Sequence, residues 1–213
     1  MKLRSPTRFS RRHSRLVAAV LLCVVASVLY TSCSTLPVKT QREDPPALSP
    51  EGAKTEAEKA ALINWLASYA VKEQQSSGVP ASITIAQAIL ETGWMRAETP
   101  VRRKMVLEAK NLFGIKGVGP AGSVEIPTTE YEGRRKYTIT DKFRAYHTYA
   151  ESFEDHSHLL TTSSYYTGAL KFRNDPHKYI EEVAKNYATD PEYATEVWSI
   201  VTRYNLTRFD KNE

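Results

Sequence analysis

Acidic residues are missing from the first 33 positions, which contain no Asp or Glu. The same stretch holds six Lys and Arg residues, so it supplies more than the whole formal charge of +5 and leaves −1 for the rest of the chain. The basic character therefore belongs to one short segment. It gives no support for nucleic-acid binding by the remaining, nearly neutral part.

The basic start is followed by an apolar run from Leu16 to Tyr30. Its 15 residues are short for a membrane span and suit the core of a signal peptide. The run ends in Leu29-Tyr30-Thr31-Ser32-Cys33, which resembles the lipobox of bacterial lipoproteins, although Tyr30 stands where Leu is usual. The resemblance implies that Cys33 becomes the lipidated first residue. An ordinary signal peptide or an uncleaved anchor is the alternative.

Cysteine is scarce, and Cys23 lies inside the apolar run. Cleavage would leave Cys33 as the last cysteine of an exported protein, which excludes an internal disulfide and makes the fold depend on its core. We expect residues 1–33 to be a lipoprotein signal peptide and 34–54, rich in proline, to be a flexible tether. Residues 55–213 should form one domain, and they show no internal repeat.

The stretch Ser77–Trp94 predicts the helix around which this domain is organised. Ser82 should lie near its N-cap and Gly93 at its stop. Four apolar residues at helical spacing predict a core face: Ile83, Ala86, Ile89 and Leu90. Glu91 falls in the last turn, where desolvation and the negative end of the helix dipole should raise its pKa. A carboxylic acid kept protonated near neutral pH suits general-acid catalysis, whereas a solvated Glu at a helix end is the alternative.

Other helices are expected on both sides of this one. An amphipathic helix is predicted by the apolar residues Leu62, Trp65, Leu66, Tyr69 and Ala70. Further helices should lie within 95–110 and around 150–160, and Asp-Pro pairs should open helices near 176–186 and 191–203. The one β pattern runs from Ser123 to Tyr146 and predicts a hairpin with its turn at Glu132-Gly133-Arg134. The fold class is therefore α+β and mostly helical.

Four segments together resemble one family: Ala86–Trp94, Asn111–Gly117, Phe143–Tyr146 and Tyr187–Pro191. This family is the bacterial peptidoglycan glucosaminidases of glycoside hydrolase family 73, which includes autolysins and flagellar muramidase-like domains. The resemblance covers about residues 56–210. It implies a lysozyme-like fold, with a cleft between a helical body and a small β-lobe.

The resemblance implies two catalytic carboxylates. The general acid falls on Glu91, and a second carboxylate on the β-lobe falls on Glu130, 39 positions further along. Glu125 and Glu132 are competitors for the second role. Side chains alternate across a strand, so Glu130 and Glu132 would share a face, but Glu132 sits in the predicted turn. We therefore prefer Glu130.

Substrate contacts are expected from five residues of these segments: Trp94, Asn111, Phe113, Gly114 and Tyr187. Each also has a structural alternative, such as a turn amide for Asn111 or a core aromatic for Trp94 and Tyr187. Met95 departs from the family, which commonly has glycine after the tryptophan. No metal site is expected from His156-Ser157-His158, because residues two apart on a helix do not face each other.

The leading hypothesis is an exported, lipid-anchored β-N-acetylglucosaminidase that cleaves peptidoglycan between N-acetylglucosamine and N-acetylmuramic acid. It would act as a monomer without a cofactor, bound to glycan strands and to the membrane, in the periplasm or at the outer membrane. A lytic transglycosylase using Glu91 alone is one alternative. A non-catalytic wall-binding lipoprotein is another alternative, suggested by Met95 at the position where the family commonly has glycine. The sequence leaves open whether hydrolysis is inverting, retaining or substrate-assisted.

Overall fold

The computed structural model describes residues 44–47, 49–132 and 135–210, and for residues 128–138 it describes the backbone of the strands alone. The predicted signal peptide and Cys33 lie outside these residues. Six helices and one hairpin are described: α1 Glu56–Ser77, α2 Ala81–Thr92, α3 Pro100–Arg103, β1 Ser123–Glu132, β2 Arg135–Arg144, α4 Tyr149–Thr162, α5 Pro176–Tyr187 and α6 Tyr193–Arg203. A π-helical turn follows α3 at Lys104–Glu108, and 3-10 turns lie at Thr167–Phe172 and Leu206–Phe209. The mostly helical body with a two-stranded antiparallel sheet confirms the predicted α+β class.

The organising helix, α2, is the centre of the body. The sequence predicted one buried face, but every residue from Ala81 to Ile89 is buried. This happens because α1, α6 and the C-terminal 3-10 turn all pack around α2. A helix enclosed on all sides has few places where a polar side chain reaches solvent.

The N-terminus of α2 differs from the prediction. Ser82 is not the cap: Pro80 occupies the N-cap, where it makes no side-chain hydrogen bond. The Ser82 amide instead donates to Asp210 Oδ1 at 2.7 Å, so an acid from the far end of the chain satisfies the helix end. At the other end the prediction is confirmed, because Gly93 stops the helix in the left-handed conformation with φ 56°.

Helix α1 carries the predicted apolar face against the core, and all five predicted residues are buried. It begins with a capping box, in which Thr55 Oγ1 accepts from the Glu58 amide and Glu58 Oε2 accepts from the Thr55 amide. An aromatic cluster joins α1 to α4: the Trp65 ring meets Tyr149 edge-on at 5.1 Å, and Tyr69 stacks on Phe153 at 5.0 Å.

The last residues of the predicted tether lie against the body. The Ala53 amide donates to the Trp94 carbonyl at 3.0 Å, and the Ala97 amide donates to the Pro50 carbonyl at 2.7 Å. Ala53 is itself buried. The ordered body therefore begins before Thr55, the boundary that the sequence suggested. Among the described residues, no helix is both long and apolar enough to cross a membrane.

The remaining elements follow the predicted order. Strand register pairs Glu132 with Arg135, which confirms the hairpin, and the remaining residues of the predicted turn, 133–134, lie outside the described residues. Asp175 caps α5 as expected, because its carboxylate accepts from the Lys178 amide. The second Asp-Pro prediction was wrong in detail: Asp190 accepts from the Glu192 amide and closes a turn, so α6 starts two residues after Pro191.

Replacing Asp210 by alanine should lower the free energy of unfolding by about 1–2 kcal/mol, because the buried N-terminus of α2 loses its capping carboxylate. Urea denaturation of the purified protein measures this. Asp190→Ala is the matched control, since Asp190 closes only an exposed turn, and it should cost less than about 0.5 kcal/mol. Equal losses in the two variants would contradict the capping role.

Candidate active site

Glu91 lies in the last turn of α2 and faces a cleft of about 310 Å³. We call this cleft the first arm. Its other walls come from α3, the turn that follows it, the 111–117 loop and the base of β2, and its lining includes Val101, Arg102, Met105, Gly114 and Phe143. Among the described residues that line this arm, Glu91 is the one carboxylate. The one carboxylate that lines this arm in the described residues therefore lies at the end of α2.

The environment of Glu91 favours its protonated form. Glu91 is exposed to the cleft, while the Tyr193 hydroxyl and Gly114 lie against its carboxyl from the protein side. Desolvation by the surrounding protein raises the pKa of Glu91 above its ordinary value, and a hydrogen bond from Tyr193 lowers it by a smaller amount. The direction agrees with the expectation from sequence. The group is thus accessible to a ligand and holds its proton more tightly than an ordinary glutamate.

Tyr193, the first residue of α6, was missed by the sequence reasoning. Its hydroxyl donates to Glu91 Oε1 at 2.9 Å and accepts from Gln87 Nε2 at 3.1 Å. Because the amide of Gln87 occupies the oxygen, the hydroxyl proton is directed at Glu91. Gln87 was a usable signal, since it is a polar residue one helical turn before Glu91 on an otherwise apolar helix. No sequence signal pointed to Tyr193, because its contact with α2 depends on how α6 packs.

Gly114 forms the opposite wall of the site. Its φ is 65°, and a Cβ atom at this position would lie 3.4 Å from Glu91 Oε2. Both the left-handed backbone and the close approach to the carboxylate favour glycine. Phe113, the residue before it, is buried and stacks on His156 at 4.0 Å, so it supports this wall from the core.

Asn111 holds the 111–117 loop in place. Its Nδ2 donates to the carbonyls of Ile115 and Arg144, each at 2.9 Å, and its Oδ1 accepts from the amides of Phe113 and Ile115. The residue is only 2% exposed. The whole hydrogen-bonding capacity of this amide is used by backbone groups. Asn111 therefore positions Gly114 and the Arg144 end of β2. Its side-chain amide has no donor left for the predicted contact with substrate.

Tyr187 and Trp94 occupy different places. The Tyr187 hydroxyl donates to the Phe113 carbonyl at 2.9 Å, and its ring stacks on Tyr193 at 5.5 Å, so it braces the site from behind. Trp94 packs edge-on against Tyr204 at 4.9 Å and lies under the ammonium group of Lys59. Trp94 lines neither arm of the cleft. The structure thus favours the packing alternative for Trp94.

Met95 shows why the position after the tryptophan favours glycine. Met95 has φ 63° and the preceding Trp94 has φ 66°, both in the left-handed region that is costly for residues with a Cβ. The Met95 amide donates to Thr92 Oγ1 at 3.0 Å, and the residue is 4% exposed. Burial of the methionine side chain offsets the backbone strain. The departure thus leaves the turn in its left-handed form.

A second arm of the cleft, about 280 Å³, continues on the other side of Gly114. Its lining includes Lys116, Arg144, Tyr166 and Tyr187. The Arg144 guanidinium is paired with Asp155, with Nη1 2.6 Å from Oδ1. The two arms share Gly114, the residue that lies against the Glu91 carboxylate.

The Glu130 side chain lies outside the described residues, but strand register locates its backbone. Phe143, which lines the first arm, pairs with Val124, and Glu130 pairs with Tyr137 six positions further along β1. At about 3.4 Å per residue, this is roughly 20 Å along the strand from the cleft. The competitor Glu125 is nearer the base, exposed, and next to the buried Ile126, from which its side chain alternates.

The two histidines of the 156–158 segment lie in different surroundings, because His158 is exposed and His156 is not. His156 is fully buried between aromatic rings, and burial lowers its pKa to about 3, so the ring is neutral. Among the described residues, no group of three or more His, Cys, Asp or Glu side chains is arranged to hold a metal ion.

An acid with a raised pKa, open to a cleft between a helical body and a hairpin, is typical of glycoside hydrolases. The chain belongs to the glucosaminidase family: the family model described as mannosyl-glycoprotein endo-beta-N-acetylglucosaminidase matches residues 67–206. This membership confirms the predicted family and enzyme class.

Relatives carry several names. The chain is 31% identical over 206 residues to the exo-glucosaminidase LytG of Bacillus subtilis, covering 94% of this chain and 68% of the relative. It is 36% identical to an autolysin of Enterococcus faecalis (77% and 22% covered) and 32% identical to a probable N-acetylmuramidase of Lactococcus lactis subsp. cremoris (98% and 46% covered). The chain thus spans from 22% to 68% of the length of these relatives.

A solved structure supports the fold. The catalytic domain of the autolysin Auto from Listeria monocytogenes matches with a TM-score of 0.64 and 32% identity, covering 77% of this chain and 92% of that chain. The predicted lysozyme-like fold is thereby confirmed.

Tyr193→Phe should raise the pKa of Glu91 further, because the hydroxyl that stabilises the carboxylate is removed and burial remains. NMR titration of ¹³C-labelled glutamate side chains measures this shift. Tyr179→Phe is the matched control, since the buried Tyr179 hydroxyl has no hydrogen-bond partner among the described residues, and it should leave the titration unchanged. A Glu91 pKa that stays constant or falls in Tyr193→Phe would contradict the assignment.

Proposed function

We propose that this protein is a peptidoglycan hydrolase that cleaves the glycan backbone between N-acetylglucosamine and N-acetylmuramic acid, with Glu91 as its general acid. The observation that carries the proposal is the setting of Glu91: burial raises its pKa while the groove leaves it open to a ligand. Family membership supports the substrate class. The relatives' names include both glucosaminidases and N-acetylmuramidases, so the bond that is cut is part of the proposal.

In this proposal Glu91 protonates the departing glycosidic oxygen. Tyr193 fixes the carboxyl rotamer before the reaction and donates a hydrogen bond to the carboxylate that forms when the proton leaves. The acid works only while it is protonated. Activity should therefore be present below the raised pKa of Glu91 and fall as the pH rises through it.

Glu130 is our candidate for the second carboxylate, which would activate water or stabilise the cationic transition state. Its backbone lies on the outer half of β1, so the hairpin would have to bend over bound glycan to bring the carboxylate to the sugar. A lytic transglycosylase is the second candidate function. It is favoured by one observation, namely that Glu91 is the one carboxylate among the described residues lining the first arm.

Glu91→Gln should abolish the release of new reducing ends from purified peptidoglycan, because glutamine cannot supply the proton. Glu130→Gln should lower it by a factor on the order of 100 or more if a second carboxylate acts. Glu125→Gln is the control on the same strand and should retain activity. Mass spectrometry of the products identifies the reaction: N-acetylglucosamine reducing ends support the proposal, and anhydro-muramic ends indicate a transglycosylase.

Two outcomes would overturn this function. One is normal release of fragments by Glu91→Gln. The other is binding of the wild-type protein to intact sacculi with no soluble fragments released, which would indicate a non-catalytic wall-binding protein. If Glu91→Gln loses hydrolytic activity and Glu130→Gln keeps it, the result would favour a substrate-assisted mechanism, in which the acetamido group of the sugar replaces the second carboxylate.

We further propose that the protein is exported and anchored to the envelope through a lipid on Cys33. The support is the basic and apolar start of the sequence and its lipobox-like ending. Cys33→Ala should move the protein from the membrane fraction to the soluble fraction and prevent incorporation of labelled palmitate. Cys23→Ala is the matched control and should change neither. Palmitate incorporation that persists in Cys33→Ala would contradict the anchor.

A further inference from the structure

We propose that Tyr166, which lines the second arm, and the neighbouring exposed Tyr165 form an additional saccharide-binding platform. It would hold sugar rings of a long glycan strand beyond those at Glu91. The inference rests on the proposed function, because it adds contacts for the same glycan substrate.

The first observation is the exposure of Tyr165. Its ring is 71% exposed, although tyrosine can bury a large apolar surface. Tyr166 is half-buried and lines the second arm. Exposed aromatic rings beside a groove suit the apolar faces of sugar rings, while the hydroxyls serve their polar edges.

The second observation is a continuous row of tyrosines that leads from this surface to the acid. Ring centroids are 6.5 Å apart for Tyr165 and Tyr166, 6.0 Å for Tyr166 and Tyr187, and 5.5 Å for Tyr187 and Tyr193. Tyr193 then donates to Glu91. The pair is therefore connected to the candidate catalytic centre by ring packing, with Tyr193 buried at the inner end of the row.

The third observation is that the pair is held in place without being buried. Asn186 Nδ2 donates to the Tyr165 carbonyl at 3.1 Å, and the Tyr166 hydroxyl donates to the Asn186 carbonyl at 3.3 Å. Asn186 directly precedes Tyr187 on α5, so its hydrogen bonds hold Tyr165 and Tyr166 next to the helix that carries Tyr187. The backbone of Tyr165 and the side chain of Tyr166 are thus already held, so less conformational entropy is lost when a ligand binds, which favours affinity.

The charges of the second arm favour a neutral ligand. Its two cations are paired with carboxylates: Lys116 lies 2.7 Å from Asp141, and Arg144 lies 2.6 Å from Asp155. An acidic stem peptide would have to compete with both ion pairs, whereas a saccharide ring needs only the aromatic faces. We therefore commit to the glycan as the occupant.

The test compares long, peptide-free glycan strands with a short saccharide as substrates of the full chain. Tyr165→Ala should lower the ratio of kcat/KM for the long substrate to that for the short one on the order of fivefold, because truncated interface aromatics commonly cost this much. Tyr165→Phe, which keeps the ring, should restore the ratio. Val118→Ala is the control, since Val118 is equally exposed (70%) but has no aromatic ring, and it should leave the ratio unchanged.

An unchanged ratio in Tyr165→Ala would overturn the platform. An effect seen only on strands that carry stem peptides would also overturn it, in favour of a peptide site. If the wild-type protein cleaves nothing, the proposed function fails separately, and co-sedimentation of the wild type and Tyr165→Ala with peptide-free strands still decides whether the platform binds. Weaker sedimentation of Tyr165→Ala supports it, and equal sedimentation contradicts it.

Discussion

The site depends on one constraint: α2, whose residues Ala81–Ile89 are all buried, carries two polar side chains near its end that share one partner. Gln87 is fully buried, where an unpaired polar group is costly, and Glu91 lies one turn further on, exposed to the cleft. A single hydroxyl, that of Tyr193, bonds to both. This places the start of α6 against the end of α2. The hydrogen bonds of the Tyr193 hydroxyl therefore both hold α6 against α2 and orient the Glu91 carboxyl.

The 111–117 loop completes the arrangement from the other side. Asn111 bonds the loop to itself and to the Arg144 carbonyl, so the wall at Gly114 and the base of the hairpin are fixed together. Tyr187 adds a bond to Phe113 from α5. Side-chain hydrogen bonds to backbone groups thus join the 111–117 loop, β2 and α5 beside Glu91. The groove keeps its shape because polar groups that would otherwise be unsatisfied hold it.

The sequence allowed the fold class, the helices and the raised pKa of Glu91 to be predicted, because these follow from local period, end-capping residues and burial of a nearby charge. It misassigned the cap at Ser82 and the start of α6, since Asp210 and Glu192 supply those features through tertiary or turn geometry. Asn111 was assigned to the right loop, but its partners depend on where β2 ends. Tyr193 was missed because a contact between distant helices leaves no local pattern.

Glu91 and its proposed partner Glu130 lie on elements that differ in how firmly the rest of the structure holds them. Glu91 is held by a buried helix, a tyrosine and a glycine wall, whereas β1 and β2 form a two-stranded ribbon with no further strand paired to it among the described residues. Such a ribbon is marginally stable away from a surface that covers it. A glycan strand in the groove would provide that surface. In our proposal, substrate binding and assembly of the two-carboxylate site are therefore one event, in which the ribbon closes over the sugar beside Glu91.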